Sequence, residues 1–111
     1  MSALTKPIQT GVATFVNLLT ALRAAGYTGG QRPTLLTFYN ASAVTPVYLH
    51  FHNTNSASGL TGNQGIPISS AAAPATPMHQ FYGNAKDMPD LNHIFVWAAA
   101  DVPVTVAVVG E

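Results

Sequence analysis

From residue 34 onward, apolar and polar residues alternate in short runs separated by turn-forming residues. Val47, Leu49 and Phe51 alternate with Tyr48, His50 and His52, which is the two-residue period of a strand. Ile94, Val96 and Ala98 alternate in the same way with His93, Phe95 and Trp97 over 91–98. Val102, Val104, Val106 and Val108 share one face of a last strand over 102–109. Leu, Leu, Thr, Phe and Tyr at 35–39 suit a pleated surface. Shorter runs at 66–69 and 78–82 complete the set, and Pro67 places the first of them at a sheet edge. Residues 40–46 read as a small-residue connection closing a hairpin, 53–65 as a long loop of Asn, Ser, Thr and Gly, and 70–77 as an extended, low-complexity stretch.

The first third has another period. Val12, Phe15, Val16, Leu19 and Leu22 recur at helical steps, and Gly26 is placed to end a helix in the left-handed conformation. This predicts a helix over 12–25, with a strand at 14–19 as the competing reading. Two glycines and a proline in 27–33 predict a linker. The organisation expected is an N-terminal arm or helix with linker over 1–33 and a sandwich domain over 34–111. Six or seven short strands at roughly ten-residue spacing argue for a mainly β fold, an antiparallel β-sandwich. No internal repeat is visible.

Charge changes the picture. The 111 residues include four Lys and Arg and four Asp and Glu, so the chain is 7% charged with zero formal net charge; an ordinary domain is about 25% charged. Lys6, Arg23, Arg32 and Lys86 are scattered, which argues against a nucleic-acid partner and against a polybasic membrane contact. At 48% hydrophobic, the chain is unlike a disordered one. It has no Cys, hence no disulfide and no thiolate metal site. Residues 1–7 lack the pattern of a secretory leader, and the apolar stretch 94–100 falls far short of the ~20 residues that span a bilayer. Assembly in a cytoplasm is the expectation.

Candidate chemistry is sparse. His50 and His52 sit two apart on a strand, so both imidazoles could reach one metal ion. Metal-binding cupins use such a His-x-His, but with a Glu a few residues later; here 53–65 holds no Glu, and Glu111 is the sole one in the chain. The simpler reading puts Val47, Leu49 and Phe51 in the core and His50 and His52 beside Tyr48 on a solvent or subunit face. Asp87 and Asp90 read as turn caps. The glycines of 59–65 come without the Lys and helix of a phosphate loop, and no Gly-x-Ser-x-Gly elbow is present. No catalytic, metal or cofactor site is therefore expected. Trp97 shares its face with Phe95 and reads as an interface or core anchor, with sugar stacking as the alternative. Tyr48, His50, His52 and Trp97 are the interface candidates. Interface cores are poor in Lys, Glu and Asp, so the low charge itself points to a surface covered by other subunits.

The run Leu-Leu-Thr-Phe-Tyr-Asn-Ala-Ser at 35–42, then Thr-Pro-Val-Tyr-Leu-His-Phe-His at 45–52, resembles small structural proteins of tailed bacteriophages. So does Ile-Phe-Val-Trp-Ala-Ala-Ala-Asp at 94–101 before the Val-rich end. The resemblance covers about 35–109. It implies a jelly-roll-like sandwich on the virion: a capsid decoration (cement) protein, often a homotrimer, with itself and the major capsid protein as partners. A head–tail connector or tail component, or a lectin-like carbohydrate-binding module, are the alternatives.

Overall fold

The computed structural model describes residues 1–70 and 78–111; the extended stretch expected over 70–77 lies almost wholly outside the described residues. Among the described residues, eight strands form two antiparallel four-stranded sheets: β1 (Ser2–Gln9), β2 (Val16–Asn17), β3 (Leu35–Asn40), β4 (Val47–Phe51), β5 (Ile66–Ile68), β6 (Met78–Tyr82), β7 (Ile94–Trp97) and β8 (Pro103–Gly110). The first sheet runs β1-β8-β3-β6 and the second β2-β7-β4-β5. β1 pairs with β8, β2 with β7, β3 with β6 and β4 with β5. A long two-stranded ribbon rolled on itself gives this order, which is the jelly-roll form of the β-sandwich.

The expected alternation builds the core. Leu36 and Phe38 of β3, Val47 and Leu49 of β4, Ile94 and Val96 of β7, and Val104, Val106 and Val108 of β8 are buried between the sheets. The 40–46 connection does not close a hairpin. β3 and β4 lie in different sheets, and the chain crosses between them at Asn40. The fully buried Asn40 amide donates to the carbonyls of Thr45 (2.9 Å), Ile68 (3.1 Å) and Ser69 (3.2 Å), and its oxygen accepts from the Ser42 N–H (3.0 Å). One side chain thus holds the corner where the two sheets meet.

Residues 1–33 belong to the sandwich and are not a separate arm. β1 is an edge strand along the whole of β8, with Leu4 and Ile8 packed on the core. Its polar, Pro-containing sequence hid it. The helix is shorter than its period predicts: α1 (Leu18–Ala25) follows β2, capped by Asn17, whose side chain accepts from the Thr20 N–H, and ended by Gly26 at φ 112°. The expected linker is packed as well. Tyr27 is buried, its hydroxyl donates to the Gly30 carbonyl (2.7 Å), and the Arg23 guanidinium donates to the carbonyls of Tyr27 and Gly29 (3.1 and 2.6 Å).

Candidate functional site

Two surfaces of the sandwich carry the chemistry, one on the outside of each sheet. The outer face of the second sheet is aromatic. Tyr48 opposes Trp97 and His50 opposes Phe95 in the β4–β7 register. Phe15, just before β2, joins them: its ring lies 5.1 Å from His50, 6.4 Å from Trp97 and 6.5 Å from Phe95. Tyr48 and Trp97 are tilted against each other at 5.9 Å. Three of the four expected residues, Tyr48, His50 and Trp97, are therefore brought together; Phe15 was missed because it fell within the predicted helix.

The 53–65 loop folds over this face. Its 3-10 turn (Gly62–Gln64) sets Gly62 on the Trp97 indole, where a β-carbon would overlap the ring. His50 Nε2 lies 2.7 Å from the Gly62 carbonyl oxygen. A carbonyl can only accept, so Nε2 carries the proton and the imidazole clamps the loop. His50 points away from the core as expected, yet it is only 6% exposed, because loop and Phe15 cover it. Phe51 departs from the expected core: at the end of β4 it is 37% exposed and packs its ring edge-on to Phe81 of β6. His52 lies past the strand end, half-buried, with its backbone N–H bonded to the His93 carbonyl (2.9 Å). A cleft of about 360 Å³ opens where β4 parts from the loop, between Phe51, Leu60 and Ile66. Among the described residues, no three His, Asp or Glu side chains are grouped to hold a metal ion.

The outer face of the first sheet is of a different kind. Its central row across β1, β8, β3 and β6 is Thr5, Ala107, Thr37 and Gln80. The row on one side is Ala3, Val109, Leu35 and Tyr82, and on the other Pro7, Thr105, Tyr39 and Met78. Not one of these positions is charged. With strands ~4.8 Å apart and ~3.3 Å per residue, these three rows cover roughly 400 Å². Two of the four cations are used elsewhere: Arg23 holds the backbone after α1, and Arg32 donates to the Met88 carbonyl (2.6 Å). Nothing in the sequence period marks this face, since it requires knowing which strands are neighbours.

No protein-family model, curated protein or solved structure matches the chain significantly. Jelly rolls serve as capsid proteins, lectins and cupins alike, so the fold alone does not choose a function.

Proposed function

We propose that this chain is a non-enzymatic structural protein of a tailed-bacteriophage virion, a decoration protein that lays the outer face of its first sheet on the major capsid protein. The observation that carries the reading is the uncharged face itself. At roughly 400 Å² the face, part apolar and part Thr and Gln, is comparable with the largest patch of a typical monomer, which is often an interaction site. Docking it leaves no charge stranded in a desolvated interface, which would cost several kcal/mol each. The resemblance at 35–52 and 94–101 supplies the virion setting.

The aromatic face supports this choice over the lectin-like one. A sugar platform needs an open ring, and Gly62 occupies the Trp97 indole. The jelly roll presents the uncharged face on a rigid four-stranded support, so little order need be gained on attachment.

The reading is tested with purified virions and with heads assembled without this protein. Mass spectrometry should find the chain at high copy number in particles, and empty heads should bind it back. Thr37→Glu places a carboxylate at the centre of the face and should weaken that binding at least ~100-fold. Unchanged binding by Thr37→Glu, or absence of the chain from particles, overturns the assignment.

A further inference from the structure

A sheet edge offers unpaired backbone groups to any other strand, and folded proteins normally blunt their edges. Three of the four edges here are blunted. β2 has two residues, and β5 has three with Pro67 at their centre. β1 carries Lys6 and Pro7. The Thr10 N–H bonds to the Val102 carbonyl, so even-numbered β1 residues face β8 and Pro7 falls on the open side, where its missing N–H interrupts that edge. β6 differs. Its five residues, Met-His-Gln-Phe-Tyr, include neither proline nor a residue of fixed charge, and among the described residues no strand pairs with its outer side.

The ladder fixes which groups β6 leaves open. Gly83 donates to the Thr34 carbonyl (3.0 Å), so the pair one step beyond the β3–β6 register is hydrogen-bonded. Bonded and non-bonded pairs alternate in an antiparallel ladder. Phe81 and His79 therefore bond to β3, while Met78, Gln80 and Tyr82 point their N–H and C=O groups outward. Tyr82 is 77% exposed and Met78 47%.

We propose that β6 pairs antiparallel with β6 of a second copy about a two-fold axis through Gln80. In that register Gln80 meets Gln80, and Met78 meets Tyr82 twice. Every outward N–H then faces an outward C=O, giving six backbone bonds with none unmatched. Side chains agree: on the outer face the Met78 thioether lies against the Tyr82 ring, a favourable sulfur–aromatic pair. The two-fold axis also sets Gln80 against its own copy, which an uncharged residue tolerates and a charged one does not. The product is a continuous eight-stranded sheet. Its uncharged outer face doubles to roughly 800 Å², the area that one partner contributes to a stable interface. The pairing stands on the strand edge alone; only what the doubled face attaches to rests on the capsid reading. It makes the unit a dimer in place of the homotrimer that the resemblance implies.

The chain has no cysteine, so single-cysteine variants report cleanly. Gln80→Cys places two thiols on the axis with α-carbons about 5.5 Å apart, within disulfide range. Under mild oxidation Gln80→Cys should become disulfide-linked dimer at least tenfold faster than Thr5→Cys on the far edge of the same sheet. Gln80→Pro removes an N–H that β3 does not use, so it should keep the thermal unfolding transition and abolish the dimer in light scattering. Equal cross-linking of the two cysteine variants, a monomeric wild type, or an oligomer that survives Gln80→Pro overturns the pairing. Weakened head binding by monomeric Gln80→Pro supports the doubled face; binding to heads lost in Thr37→Glu but unchanged in Gln80→Pro overturns the doubled face as the attachment unit and leaves the capsid reading standing.

Discussion

Asn40 illustrates how much a single polar residue holds in this fold. It is fully buried and makes four hydrogen bonds that join the end of β3, the crossing and the end of β5. Asn40→Ala leaves several buried backbone groups without partners and should destabilise the chain by ~2–4 kcal/mol in chemical denaturation. Gly62 is constrained by contact in place of bonding. The chain has one tryptophan, so its fluorescence reports this site alone. Gly62→Ala should push the loop off Trp97 and shift the emission to the red; an unchanged spectrum would mean that the loop does not cover the ring. Tyr27 gives a pH dependence. Burial raises its hydroxyl above the usual phenol range, against a smaller lowering by the Arg23 guanidinium. The folded chain then holds this proton more tightly than the unfolded chain. Its contribution is fully present below about pH 10, the unfolded value, and is lost as the pH rises through the higher folded value. Alkaline unfolding followed by circular dichroism should show this loss, and Tyr27→Phe should flatten it.

At the scale of elements, the legible strands were those whose period was set by burial on one side only. β8 alternates Val with Pro, Thr and Ala, and β4 alternates Val47 and Leu49 with Tyr48 and His50, because each strand has one face in the core. β1 was not legible. As an edge strand it buries few of its residues, and Lys6 and Pro7 oppose strand propensity while protecting the edge. The helical period at 12–25 was half misleading. Leu18 and Leu22 do bury one face of α1, but Val16 belongs to the second sheet, opposite Val96, and Phe15 lies just before that strand. His50 shows the limit of period-two reasoning. Its direction was right and its burial was missed, because a loop twelve residues away covers it. The same view of edges yields a prediction: Lys6→Val removes the one charge on β1 and should make the protein more prone to aggregate at high concentration, measured by light scattering, with little change in its unfolding midpoint.

At the scale of the whole molecule, the scarcity of charge acquires a location. The sequence count shows few charges; the topology shows that, among the described residues, three rows across the outer face of the first sheet have none, and that two of the cations are spent on backbone carbonyls. On the proposed capsid reading, the attachment face lies on the opposite side of the sandwich from Tyr48, His50 and Trp97. Trp97 and His50 already have a partner in the 53–65 loop. An attachment face without charges must hold by apolar and backbone contact, and such contact is insensitive to screening. Binding of the purified protein to heads that lack it, titrated from about 0.1 to about 1 M NaCl, therefore tests the central claim most directly, since the Debye length falls from ~10 to ~3 Å over that range. The account predicts an affinity that changes by less than about threefold; a fall of tenfold or more would show that charge pairs hold the protein in place and would contradict it.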